Sequence, residues 1–68
     1  MYSKYAEIRD KANMNDAQVA EKATIPPSTI YDWKQRSAND PKASMSVSNL
    51  LKIADVLGCQ LTDLIGDK

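Results

Sequence analysis

Ser28, Thr29, Tyr31, Asp32 and Gln35 bring hydroxyl, phenol, carboxylate and carboxamide groups together within one short stretch. At about 100° per residue of helix, Ile30 and Trp33 point one way, while Ser28, Tyr31, Asp32 and Gln35 point the other. A helix divided in this way is anchored in a core on one side and offers donors and acceptors on the other. Base edges in a major groove are read with such groups: Gln35 suits adenine, Asp32 a cytosine amino group, and Thr29 or Tyr31 a thymine methyl. An ordinary amphipathic surface helix has the same periodicity, and periodicity alone favours that reading. The segment in front of it shifts the balance.

That segment reads as a helix over 16–23, a tight break, and a second helix over 27–36. Asn15 is placed to cap the first, its side chain accepting one of the free N–H groups. Val19, Ala20 and Ala23 form a narrow stripe whose small side chains let another helix approach closely. Thr24, Ile25, Pro26 and Pro27 cannot continue that helix, because proline lacks an N–H and pushes the residue before it out of the α region. Pro27 then suits the first position of the next helix.

The remaining elements must hold this pair in place. A first helix is expected over 3–12, capped by Ser3, with Tyr5, Ile8 and Ala12 on its core side. Asn13 tolerates the left-handed conformation that ends a helix, and Met14 can pack back on it. Ser46 can cap a helix over 47–57, where Val47, Leu50, Leu51, Ala54 and Leu57 give the strongest periodic signal in the chain, with Ile53 beside it. Gly58 ends it, and Leu61, Leu64 and Ile65 belong to a last short helix over 61–65. Between these lies SANDPKAS (37–44), a polar segment with turn chemistry at Asn39-Asp40-Pro41. It reads equally as a solvated loop or as a phosphate clasp built from Arg36, Lys42, Ser44 and backbone N–H groups.

Composition removes several function classes. Sixty-eight residues make a single domain, 1–68, with a modest core. One cysteine excludes an internal disulfide and a paired-cysteine metal motif, and the lack of histidine leaves no Cys/His zinc site and no Ser-His or Cys-His catalysis. Nothing suggests an enzyme, a cofactor or a small-molecule ligand. No apolar run spans a bilayer and no signal-peptide core is visible, so a cytoplasmic protein is expected. Nine basic and nine acidic residues balance to zero, where a phosphate-binding surface would favour a basic excess. The distribution is uneven: Lys34, Arg36 and Lys42 follow the polar helix with only Asp40 against them, and Asp55, Asp63 and Asp67 lie toward the C-terminus.

From Tyr5 to about Gly66 the chain resembles a phage-repressor-type helix-turn-helix domain of the Cro-like or XRE-like family. The resemblance is carried by Ile8-Arg9, Val19-Ala20, Ile30 with Trp33, and the run NLLKIADVLGCQLTDLIG. It implies an all-α, lambda-repressor-like fold of five short helices in a bacterial or phage-encoded, often dimeric, DNA-binding regulator. It also implies that Arg9 pairs with an acid after the tryptophan. Lys34 stands there, leaving Asp32, Glu7, solvent or phosphate as partners, with a structural role slightly favoured. Where the family often has a phosphate-contacting glutamine, this chain has Asp16 and Ala17, with Gln18 two places on; Asp16 suits a helix N-terminus but would repel a phosphate. Thr24 replaces the usual turn glycine, the Pro26-Pro27 pair removes two donors from the side that approaches DNA, and the 37–44 segment is longer than usual. Cys59 stands where a small apolar residue is usual, implying a structural thiol. The family's dimer contacts place Leu64 and Ile65 as candidates.

The sequence therefore predicts a transcriptional regulator that occupies a palindromic site in double-stranded DNA as a homodimer. Ser28, Thr29, Tyr31, Asp32 and Gln35 would face bases, and Gln18, Lys34, Arg36, Lys42 and Ser44 would hold phosphates. The alternative is an antirepressor-like module that kept the fold but binds protein, favoured by the zero net charge and by Asp16 and Asp32 near the same face.

Overall fold

Asn15 begins α2 (Asp16–Ala23) with a reciprocal cap. Its side chain accepts the Gln18 N–H at 2.8 Å, while Gln18 Oε1 accepts the Asn15 N–H at 3.0 Å. Two otherwise orphaned donors are thus satisfied. The helix ends at Thr24, which takes the left-handed conformation (φ 60°, ψ 45°) and donates its N–H to the Ala20 and Glu21 carbonyls. Ile25 donates to the Ala20 carbonyl at 3.0 Å, and Pro26 is extended, so the chain reverses within a few residues. Pro27 is the first residue of α3 (Pro27–Asn39), where its missing N–H costs nothing.

The computed structural model describes residues 2–65, which form five α-helices and no strand. Besides α2 and α3 these are α1 (Tyr2–Lys11), α4 (Val47–Leu57) and α5 (Leu61–Ile65). Asn13 is left-handed (φ 60°) after α1, and Gly58 (φ 68°) after α4. Ser46 caps α4 by accepting the Asn49 N–H at 3.3 Å. Two boundaries differ from expectation. Ser3 lies inside α1 rather than capping it. α3 runs on through Ser37, Ala38 and Asn39, so much of the expected loop is an extra helical turn that nothing before Pro41 prevents.

The core lies where α2 packs against both α3 and α4, with α1 laid across α5. Tyr5, Val19, Ala20, Ile30, Trp33, Leu50, Ile53, Ala54 and Leu64 fill it, and Ile8, Met14, Leu57 and Cys59 pack at its edge. Ala12 is exposed, so the core side of α1 ends at Ile8. The stripe of α4 is also rotated from the expected one. Leu50, Ile53 and Ala54 point inward, while Val47 is 60% exposed and Leu51 51%. Both residues flank an apolar sector wider than the surface α2 offers it. Ile25 and Ala43, not anticipated, are buried at 7% exposure each.

A β-branched residue in the left-handed region carries strain of roughly 1–2 kcal/mol that glycine avoids. Thr24→Gly is therefore expected to raise Tm by about 4–8 °C, after allowing for glycine's greater chain entropy. Thermal unfolding followed by circular dichroism checks this; an unchanged or lower Tm would mean that the threonine side chain offsets its own strain.

Candidate nucleic-acid interface

The orientation of α3 is set by Trp33. Its indole is fully buried, and Nε1–H donates to the Ala43 carbonyl at 2.9 Å. With Ile30 also buried, the opposite face is held outward: Ser28, Tyr31, Asp32 and Gln35 are exposed, and Thr29 is half-buried at the flank. All five sequence-predicted base-facing residues thus share one helix, four of them on its open side. Among the phosphate candidates, Gln18, Lys34, Arg36 and Lys42 are exposed. Gln18 has its carbonyl oxygen committed to the α2 cap, which leaves its amide N–H groups to donate outward. Lys34 leaves α3 on the flank away from Arg36 and lines a groove with Tyr2, Ser3 and Ser37.

The loop after α3 differs from a backbone clasp. The Lys42 N–H is taken by Asp40 Oδ1 at 3.0 Å and the Ala43 N–H by the Asp40 carbonyl at 2.9 Å. Ser44 is half-buried and donates its hydroxyl to the Met45 carbonyl at 3.1 Å. These backbone groups close a turn, so the loop's remaining donor to an outside anion is chiefly the Lys42 ammonium. Leu64, expected as a dimer contact, is fully buried in the chain's own core, because α5 uses it to pack on α1 and α4; it offers no surface to a second copy. Ile65 stays half-buried. Gly66 and Asp67, which figured in the sequence reading, lie outside the described residues.

Beside α3, the first residue of α2 carries a network that the sequence reading assigned differently. Asp16 Oδ1 accepts the Tyr5 hydroxyl at 2.6 Å and Arg9 Nη1 at 2.8 Å, and Oδ2 accepts the Tyr2 hydroxyl at 2.7 Å. Arg9 also pairs with Asp10 at 2.8 Å and lies over the Tyr5 ring at 5.6 Å. Neither Asp32 nor Glu7 is its partner: Asp16, brought round by the turn after α1, is nearer and better placed. The rings of Tyr2, Tyr5 and Trp33 stand mutually 5.2–5.3 Å apart, so the network and the α3 anchor form one cluster. Tyr2, Tyr5 and Arg9 fall at i, i+3 and i+7 on α1, a spacing that places all three on one face and was open to sequence reasoning.

Burial by itself raises the Asp16 carboxyl, but the hydrogen bonds from Tyr5, Arg9 and Tyr2 outweigh it, and its pKa lies below the ordinary 3.8. Tyr2 is pushed up to about 12, first by burial and then by its bond to Asp16, and Tyr5 is raised for the same reasons. The carboxylate is therefore compensated inside the protein. An acid at this helix end need not repel a phosphate when three donors already surround it.

A capped helix, a left-handed turn and a second helix with an anchored inner face and a polar outer one constitute a helix-turn-helix unit. The family model of the Cro/C1-type helix-turn-helix DNA-binding domain matches residues 6–68, and the chain belongs to that family. It is thus a DNA-binding domain of a regulator class, as the resemblance implied. No curated protein and no solved structure gives a significant match to the chain. No described helix is long and apolar enough to cross a membrane.

Because the folded-state pKa of Asp16 is depressed, its stabilisation is present above the unfolded value near 3.8 and is lost as pH falls through the folded one. Asp16→Asn should cost about 2 kcal/mol at pH 7, the range for hydrogen bonds to a charged group. The gap to wild type should stay level from about pH 5 to 8 and close below about pH 4. Urea unfolding across that range tests it; a gap that persists undiminished at pH 2 would remove the carboxylate from the explanation.

Proposed function

We propose that this protein is a sequence-specific transcriptional regulator, of the phage or prophage repressor type, that binds a palindromic operator as a homodimer and acts by occupancy. The observation that carries the reading is the outward, solvent-exposed polar face of α3, held by Trp33 and Ile30 behind it. In this reading α3 enters the major groove with Ser28, Thr29, Tyr31 and Gln35 toward base edges, Gln35 serving adenine. Gln18, Lys34 and Lys42 lie along the backbone, and Ser44 contributes through the loop it steadies. Two copies would place their α3 helices roughly 34 Å apart. Apolar surface for the two-fold contact is left by Ile65 and by the exposed Val47 and Leu51, rather than by Leu64. A cytoplasmic location follows from this role. The zero net charge favours a second reading, in which the same face binds a partner protein.

Selection from a random-sequence DNA pool, with a salt titration of the selected site, separates the two. An enriched palindrome whose affinity falls steeply with salt supports the regulator; no enrichment with flat salt dependence supports the protein-binding module. Within the first reading, Gln35→Ala should lower discrimination at one base pair per half-site by about ten-fold. Lys42→Ala should weaken binding to all sequences alike and reduce the salt slope by about one. Competition assays against single-base variants of the selected site check the first, and titration from low to high salt the second.

A further inference from the structure

Asp32 and Arg36 are joined on the open side of α3: Arg36 Nε donates to Asp32 Oδ2 at 2.8 Å. The sequence alone suggests separate roles, Asp32 as a cytosine acceptor and Arg36 as a phosphate contact. The geometry ties them together. At about 100° per residue, Arg36 leaves the helix about 80° round from Ser28, on the flank, whereas Asp32 stands only about 40° from it. The pairing draws the guanidinium from the flank toward the middle of the polar face. It also draws it one turn back toward the N-terminal end of α3, the end that enters a groove in helix-turn-helix docking.

The choice of nitrogen matters as well. With Nε committed to Asp32, Nη1 and Nη2 make no hydrogen bond among the described residues and remain as a two-pronged edge. A guanidinium presented end-on matches two adjacent acceptors, which in the major groove are O6 and N7 of guanine. A phosphate also accepts a two-pronged guanidinium, but phosphates border the groove, whereas the pairing turns this fork toward the middle of the polar face, which meets base edges. Asp32 and Arg36 are 67% and 45% exposed at the side chain, and an exposed pair of this kind adds little to stability, so its effect is one of direction. Tyr31 and Gln35 lie beside the pair on the same face and are exposed with it.

We propose that Arg36 is a specificity-determining residue that reads a guanine in each half-site, and that Asp32 is a positioning residue that fixes the guanidinium for that contact. This rests on the DNA-binding reading above and names the base it selects. Neutralised by Arg36, the Asp32 carboxylate approaches DNA without a net charge, and a cytosine amino group is not its partner.

Random-pool selection with wild type, Arg36→Lys, Asp32→Asn and the Asp32→Asn/Arg36→Lys double variant tests this, followed by competition between the selected site and the same site with 7-deazaguanine at the guanine in question. Wild type should enrich one guanine per half-site and lose about ten-fold or more in affinity on 7-deaza substitution. Arg36→Lys keeps the charge and should lose that preference. Asp32→Asn should lose it too, while binding non-specific DNA more tightly because a negative charge has gone. The double variant should discriminate no worse than either single one, which marks a shared contact. If the guanine preference survives Arg36→Lys, or Arg36→Lys weakens every sequence equally, the assignment to guanine is overturned. If Asp32→Asn leaves the preference intact, the positioning role is overturned. Failure of wild type to enrich any sequence would instead overturn the DNA-binding reading beneath it, and circular dichroism of each variant separates these results from misfolding.

Discussion

An indole ring has a large apolar surface and one donor that cannot be left unsatisfied in a core, and this pairing of demands governs the arrangement around Trp33. The ring is fully buried against Tyr2 and Tyr5, and its N–H finds the Ala43 carbonyl. One side chain thereby fixes three things: the rotation of α3 about its axis, the distance from α3 to α1, and the path of the chain after α3. The outward face of α3 is polar because the inward face has no freedom to turn. Through the tyrosine rings the same cluster reaches Asp16 and so the start of α2, which joins the two halves of the helix-turn-helix unit by side-chain contacts as well as by the turn.

Charge behaves differently at the level of pairs than in the total. Arg9 is committed to Asp16 and Asp10, and Arg36 to Asp32. Lys22, Lys34, Lys42 and Lys52 form no ion pair among the described residues. The arginines, with their planar forks, are used where direction matters, and the lysines are left as mobile point charges. A net charge of zero is then compatible with a surface that meets an anion, because Asp16 at the start of α2 and Asp32 on the open face of α3 each have an arginine partner. It does imply weak long-range attraction to DNA, so that affinity must come from contacts made at close range.

Most of the helices were legible in the sequence because their ends carry local chemistry: Asn15, Pro27, Ser46 and Gly58 all act where their residue types predict. The C-terminal end of α3 was not, since Ser37 and Asn39 are weak helix formers, one Ala38 between them does not outweigh that, and a polar composition reads as a loop. The inward face of α4 was misread for another reason. Its apolar residues cover more of the helix than one neighbour can bury, and periodicity cannot say which edge is left outside, so Val47 and Leu51 were placed in the core. The Arg9 partnership failed because family pairing pointed to the tryptophan's neighbour, whereas the acid that meets it stands at the start of another helix. Burial of Ile25 and Ala43 had no periodic signal, each being an isolated apolar residue in a connection. The polar face of α3 was legible in full, but the link between Asp32 and Arg36 required side-chain geometry.

The attachment of the loop to Trp33 is made through a main-chain carbonyl, and a carbonyl is present whatever residue stands there. The tether therefore does not depend on the identity of Lys42, provided that Asp40 closes the turn and position 43 stays small enough to be enclosed. Evolution is left free to redesign what this loop touches, one substitution at a time, without loosening the helix beside it. A change of target can thus begin at the edge of the surface before any residue of α3 is altered.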